Sequence, residues 1–267
     1  MRRSVGRYLV ASEGRRRREC SVPHDYFADG IAARYDDDSD VRFTDEHLAL
    51  EAGFLAQLAG EDSRALELAI GTGRVALPLA ALGVEVAGID LSEAMVRQLR
   101  AKQGGDGVTV VIGDYTTARV DGDFDVVYLV FNTIGNVASQ DAQVATFENA
   151  ARHLRPGGCF VIETGVPGVL AAQPDRRYRV FDHGGDHVGI DEYDVATQMM
   201  WSHHYSRRDD GAYARNSVPF RYAWPSELDL MARIAGMRLR ERWAWWDRTP
   251  FTSDSPSHVS VWETPSG

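Results

Sequence analysis

The chain has one lysine, Lys102, in 267 residues; every other one of its 29 basic residues is arginine. That bias fits a GC-rich coding sequence and by itself points to no function. Cysteine is nearly absent: Cys20 and Cys159 are the only two. Cys159 falls in a core-like apolar strand and Cys20 in a polar leader, so they are not expected to pair, and a reducing cytoplasm is the expected compartment. No Cys/His pair has metal-site spacing, so no metal is expected. No apolar run is long enough to span a membrane. The N-terminal arginines are followed by no apolar stretch, which excludes a secretory signal.

Charge is short on one sign. Residues 1–20 hold seven arginines and two glutamates; the rest has 22 basic and 37 acidic residues, a net −15. A body this acidic is a poor grip for phosphates, so no nucleic-acid partner is expected. The run Arg15 to Arg18 could be a basic arm. Its polarity and richness in arginine favour a disordered leader over residues 1–22.

What is present begins at Glu67–Ala80, ELAIGTGRVALPLA. It reads as a buried strand, a glycine turn (Gly71, Thr72, Gly73, Arg74) and the start of a helix. Glycines let backbone approach a ligand, and a helix N-terminus favours negative charge there. Seventeen residues past Gly73, a second strand ends in Asp90. An acid at that place can accept both hydroxyls of a ribose. The expected fold is therefore α/β, a doubly wound, Rossmann-like sheet with a nucleoside-type cofactor. Gly71-x-Gly73-x-x-Ala76 alone also fits a dinucleotide fingerprint.

The remaining motifs narrow the choice. A third strand from Val108 ends in Gly113-Asp114, a fourth opens on Asp123-Phe124-Asp125 and ends in a polar turn from Asn132 to Asn136, and LRPGG (Leu154–Gly158) precedes a fifth, CFVIET. This ordered set resembles the class I S-adenosylmethionine-dependent methyltransferases, over about Tyr26 to Glu263. Two departures stand out: Ala69 occupies the place of the first motif glycine in many members, and Arg74 stands where a third is common. The resemblance implies S-adenosylmethionine as cofactor, S-adenosylhomocysteine as product, a seven-stranded sheet and a cytoplasmic enzyme. It implies that Gly71 and Gly73 close on the methionine carboxylate and ribose, with Ala69, Thr72 and Arg74 on the rim. Glu67 would take the methionine ammonium, Asp90 the ribose and Asp114 the adenine amino group. Leu91 and Tyr115 would flank the ring, with Met95 and Gly113 beside it. Val130, Phe131 and Asn132 would face the methionine end, under Tyr26 and Tyr35. Competing readings are helix caps for Asp90 and Asp114, a salt bridge with Arg74 for Glu67, and a packing role for Tyr35.

Helix signals lie along the chain. Tyr26 to Tyr35 reads as a short helix. A second starts at Thr44 or Asp45, either of which can cap it, and is expected to cover the sheet edge before the first strand. Ser92 and Ser139 cap two more. RLRERWAWW, to Trp246, reads as a closing strand. The acceptor has to be read elsewhere. The expected organisation is a core at 23–165, an insertion at 166–223 and a returning helix and two antiparallel strands at 224–264. About 60 residues of insertion are too many for a simple connection, and they alternate like antiparallel strands with a hairpin at Asp209-Asp210-Gly211. An antiparallel sheet here would roof the site. This organisation resembles amino-sugar and glycine N-methyltransferases. Alternation places Met199, Trp201, His203 and Tyr205 on one face and Met200, Ser202 and His204 on the other. His203 or His204, with Tyr35, is a candidate catalytic group, histidine being the natural base near neutral pH; both can equally be strand residues. Asn136, Glu163, Trp201, His203 and Tyr205 are candidates for acceptor binding. Asp191 and Glu192 are lesser ones, and Trp243, Trp245 and Trp246 either stack on an acceptor or pack. The expected activity is methyl transfer to a hydroxyl or amine of a small molecule, of secondary-metabolite or sugar type, by a monomer or homodimer. A fold member that binds cofactor without methylating, and a protein or nucleic-acid methyltransferase, remain as alternatives.

Overall fold

The computed structural model describes residues 29–37, 41–167, 177–208 and 210–266. Seven strands form the main sheet: β1 (Arg64–Leu68), β2 (Glu85–Asp90), β3 (Thr109–Ile112), β4 (Phe124–Leu129), β5 (Leu154–Gly165), β10 (Arg238–Trp243) and β11 (Ser257–Glu263). Their order is β10-β11-β5-β4-β1-β2-β3. The first five are mutually parallel where they pair, and β11 runs antiparallel to β5 and β10. The order reverses between β1 and β4, which opens a crevice at the carboxyl ends of those two strands.

Strands covered on both faces read as continuous apolar runs. In β4 all but Asp125 are buried, and β1 buries Ala65, Leu66 and Leu68 around one acid, Glu67. On one face α2 (Asp45–Ala59) and α3 (Ala76–Ala81) cover the sheet. Thr44 caps α2 by accepting from His47 N–H, and Phe54 meets Trp246 edge-on at 5.3 Å. On the other face lie α5 (Gln140–His153) and α6 (Pro225–Ile234), and α5 inserts Phe147 between Phe160 and Trp262, with centroids at 5.1 and 5.2 Å. Ser139 caps α5, and Ser92 caps α4 (Glu93–Ala101).

Four details differ from the sequence expectation. The helix before β1 was expected at the sheet edge; α2 instead packs on α3, β4 and β5, because Ala52, Phe54, Leu55 and Ala59 give it a broad apolar face. The fifth strand starts at Leu154, not Cys159: Gly157 (φ +78°) and a register shift opposite Phe124 and Val126 absorb LRPGG as a bulged strand start. Strand β10 stops at Trp243, and Trp246 is 2% exposed in the core. Finally, the expected helix from Tyr26 to Tyr35 is described only as α1 (Asp29–Ala32), followed by a 3-10 turn at Tyr35–Asp37. The leader and Tyr26 lie outside the described residues.

Between β5 and α6 stands a second, antiparallel sheet, in the order β6 (Tyr178–His183), β7 (His187–Asp194), β8 (Met199–Arg207), β9 (Tyr213–Arg221). The hairpin between β8 and β9 falls at the expected place, though Asp209 is outside the described residues. The sheet joins the core at its β9 end. Arg221 is 5% exposed and donates to Gln143, Gln198 and Glu227. Among the described residues no helix is long and apolar enough to cross a membrane.

Candidate active site

The turn after β1 is built by backbone conformation. Ala69 (φ +57°), Gly71 (φ +56°) and Gly73 (φ +73°) are all left-handed. For Ala69 that conformation costs about 1 kcal/mol or more. Facing it at the end of β4, Phe131 (φ +60°) and Asn132 (φ +57°) are left-handed too. Strained backbone gathered at the ends of the two strands that flank the crevice marks a functional site. Gly73 has a packing reason as well: a Cβ there would meet Leu99 Cδ1 at 2.2 Å. Gly71 is the one that faces Met95, whose methyl would sit 3.3 Å from such a Cβ.

Asp90 ties two turns together. Its Oδ2 accepts from Gly71 N–H and its Oδ1 from Ser92 N–H, both at 2.7 Å. Burial pushes its pKa up, and the two N–H groups oppose that. The structural role weighed against the ribose role is therefore present; the lone pairs left on each oxygen remain for a ligand. Asp114 is exposed and caps its own turn through Thr116 N–H at 2.8 Å, while Gly113 N–H donates to the Asp90 carbonyl. Between the acids Leu91 is 53% exposed, an apolar surface at the rim. Tyr115 is half-buried and donates its hydroxyl to the Thr133 carbonyl at 3.2 Å.

Three glutamates are buried near the crevice. Glu67 accepts from the Tyr128 hydroxyl at 3.0 Å, not from Arg74. Arg74 instead donates to Glu51 at 3.2 Å and to the Arg42 carbonyl at 2.7 Å. Glu163 Oε2 accepts from Phe131 N–H at 2.6 Å. Burial raises all three: Glu51 to about 7, Glu67 well above the ordinary carboxylate value, and Glu163 upward, with Arg74 opposing each. Above them Tyr35, Phe43 and Phe131 form an aromatic cluster, with centroids 5.5 to 6.4 Å apart. The Arg42 guanidinium lies 4.1 Å and that of Arg74 5.0 Å from the Phe131 ring. Burial pushes the Tyr35 hydroxyl up to about 12. Val130 is buried behind Phe131, and Asn132 Oδ1 accepts from the Thr164 hydroxyl and Gly165 N–H.

Of the expected residues, Glu67 lies on β1 and Ala69, Gly71, Thr72, Gly73 and Arg74 in the turn after it; Asp90 ends β2 with Leu91 next; Gly113, Asp114 and Tyr115 follow β3; Val130, Phe131 and Asn132 follow β4; Glu163 is on β5, and Met95 of α4 packs with Tyr35. Asn136 ends the 3-10 turn Thr133–Asn136 that follows β4. In the second sheet Trp201, His203 and Tyr205 share one face and His204 the other, as alternation requires. His203 shares hydrogen bonds with Ser217 (2.8 Å) and Glu192 (3.2 Å); His204 shares them with His187 (3.1 Å) and Ser202 (3.3 Å). All these partners belong to the second sheet itself. Sequence reasoning missed Arg42, Phe43 and Glu51. For Glu51 a signal existed: it heads the stripe Glu51, Phe54, Leu55, Leu58, an acid on the apolar face of a helix.

The donor set fits a nucleoside cofactor with a cationic amino-acid end. Acids stand at the ends of β2 and β3, an apolar rim lies between them, and buried carboxylates lie beneath an aromatic cluster. Among the described residues no group of three or more His, Cys, Asp and Glu is placed to hold a metal. Comparison with known proteins agrees. Residues 65–158 match the family model described as methyltransferase domain. The structure of the CcbJ methyltransferase from Streptomyces caelestis is 33% identical, covers 90% of this chain and 98% of its own, and superposes with a TM-score of 0.79. The cypemycin N-terminal methyltransferase of a Streptomyces species is 29% identical over 203 residues, 74% of this chain and 82% of that protein. An amino-sugar N,N-dimethyltransferase of Saccharopolyspora spinosa, named for dTDP-4-amino-2,3,4,6-tetradeoxy-D-glucose, is 34% identical over 119 residues, 43% of this chain and 47% of that protein. The chain belongs to the class I S-adenosylmethionine-dependent methyltransferases.

Proposed function

We propose that the enzyme methylates an amine of a small molecule of natural-product type, in the cytoplasm. The observation that carries this reading is the pair of buried carboxylates Glu67 and Glu163, which accept from the Tyr128 hydroxyl and Phe131 N–H and have no ion-pair partner among the described residues, a setting suited to cationic groups. The names of the cypemycin and amino-sugar relatives, which specify amine acceptors, support it. When bound, S-adenosylmethionine supplies an electrophilic methyl on a sulfonium. The chain's own residues do the rest. Lone pairs of Asp90 and Asp114 would take the ribose and adenine polar groups, with Leu91 and Tyr115 against the ring. Glu67 would accept from the methionine ammonium. The aromatic cluster of Tyr35 and Phe131 would lie beside the cationic end, where a π-system attracts a cation. An amine must arrive at the methyl unprotonated, and a carboxylate whose pKa is raised, such as that of Glu163, is matched to receive its proton. Alignment and exclusion of water supply most of the rate.

A hydroxyl acceptor would need a stronger base, and His203 or His204 on the second sheet is suited to that role, with Trp201 and Tyr205 on the His203 face of that sheet and Asn136 in the turn after β4. The acidic body opposes a nucleic-acid acceptor. Calorimetry tests the cofactor: S-adenosylhomocysteine should bind in the micromolar range and NAD(P) far more weakly, and the reverse order ends the reading. A panel of amine and hydroxyl acceptors, followed by mass spectrometry for one added methyl, tests the acceptor. Transfer to hydroxyls alone would sink the amine assignment.

A further inference from the structure

Lys102, the sole lysine, sits at the C-terminus of α4, where a cation also suits the helix dipole. Its ammonium donates to the Thr72 carbonyl at 2.8 Å and to Asp36 Oδ2 at 2.7 Å. The Thr72 hydroxyl donates to the other oxygen, Asp36 Oδ1, at 2.7 Å. Three groups therefore close a ring. One lies on the cofactor turn, one ends the helix after β2, and one lies on the N-terminal segment. Asp36 follows Tyr35, which packs on Ala32, Ala94 and Met95 and lies 6.4 Å from the ring of Phe131. Thr72 is 1% exposed, so its backbone is a fixed anchor, whereas the Lys102 and Asp36 side chains are 33% and 39% exposed and can part into solvent.

We propose that Lys102 is a positioning residue: with Asp36 it forms a clasp that holds Tyr35 over the glycine turn, and the clasp opens for the cofactor to enter or leave. The inference rests on the cofactor reading above. A guanidinium could span the two acceptors, but an ammonium is a compact point charge that both can share at one atom. The exposed ion pair alone is weak; its effect comes from joining the Tyr35–Asp37 turn to a buried carbonyl.

The test uses the full chain. Because Lys102 is the only ε-amine, an acetylating N-hydroxysuccinimide ester reports directly on the clasp, with the α-amine as internal control. Saturating S-adenosylhomocysteine should slow acetylation of Lys102 by about fivefold or more while the α-amine is unchanged, as expected for a group that reacts only on local opening. In stopped-flow displacement, Lys102→Met should release S-adenosylhomocysteine about five- to tenfold faster, the effect of one charge-assisted hydrogen-bonded link. Asp36→Ala, on a surface turn outside the core, should do the same, and Lys102→Arg should restore part of the slow release. Parental release rates in both Lys102→Met and Asp36→Ala, or acetylation indifferent to S-adenosylhomocysteine, would overturn the clasp. If the parent protein fails to bind S-adenosylhomocysteine by calorimetry, the cofactor reading falls first and the clasp with it.

Discussion

Replacing Asp90 should damage the fold before any ligand is present. Its two oxygens receive Gly71 N–H and Ser92 N–H at 2.7 Å each, and its side chain is 8% exposed. In Asp90→Ala both donors lose their partner, and water reaches them poorly. Each orphaned N–H costs about 1–3 kcal/mol, so the sum is roughly 2–4 kcal/mol after partial relaxation. In a chain of this size that corresponds to a melting point lower by roughly 5–15 °C. Asp90→Asn keeps one acceptor and turns an NH2 toward the other N–H, so it should lose about half as much. Urea melts of the ligand-free proteins measure this first. Calorimetry with S-adenosylhomocysteine on the folded fraction then measures the ribose contribution, a further loss of about 1–3 kcal/mol. A ligand-free Asp90→Ala as stable as the parent would show that the two N–H groups find other partners and that the bridge is not structural.

Other outcomes follow from the same geometry. Glu51 is buried against Arg74, His47 and, further off, Arg42 and Glu163, with a folded pKa of about 7 against an ordinary 4.5. Its contribution is full below the unfolded value and is lost as pH rises through 7, by roughly 3 kcal/mol at most. The stability of the parent relative to Glu51→Gln should therefore fall between pH 5 and pH 8 in urea titrations, and a pH-independent difference would refute the shift. Gly73→Ala combines a positive φ with a 2.2 Å approach to Leu99 and should cost about 2–4 kcal/mol, readable as a lower urea midpoint; an unchanged midpoint would mean α4 moves freely. If a histidine of the second sheet assists deprotonation, His203→Ala/His204→Ala should lose a factor of about 10² to 10⁴ in turnover with S-adenosylhomocysteine affinity spared. Since the two face opposite sides, one single variant should carry nearly all of the loss; a double variant at the parental rate makes both structural.

Local signals were legible and long-range ones were not. The caps Thr44, Ser92 and Ser139 were readable because a side-chain oxygen three residues before an N–H is a contact within one turn. Strands β6 to β9 were readable because period-two alternation survives without knowledge of the partner. The carboxylates at the ends of β2 and β3 were readable because strand, acid and helix follow one another in the chain. Arg74 was not. Its nearest acid in sequence, Glu67, satisfies itself on Tyr128, 61 residues away, and Arg74 turns to Glu51 on a helix that precedes β1. No spacing rule encodes that choice; it depends on how deeply α2 settles on the sheet.

The orientation of the second sheet was illegible for a related reason. Alternation sorts His203 from His204 but does not say which face looks inward, since both faces mix polar and aromatic residues. That choice is made at a single junction, where Arg221 is clamped by Gln143, Gln198 and Glu227. On the opposite face of β9 the neighbouring Phe220 lies against Gly135, whose Cβ would be 3.6 Å from its ring. The residues that share the Phe220 face of the sheet are Met200, Ser202 and His204, by the register of β8 with β9. At this junction the rim of the crevice, at Asn132 and Gly135, meets Phe220 on the His204 face, while Arg221, on the His203 face, is held by Gln143 and Glu227 of α5 and α6. Of the two histidines, His204 is the one whose replacement should slow the reaction. His204→Ala at the parental rate, with His203→Ala slow, would show that the sheet turns over between the Phe220 end and the His204 end.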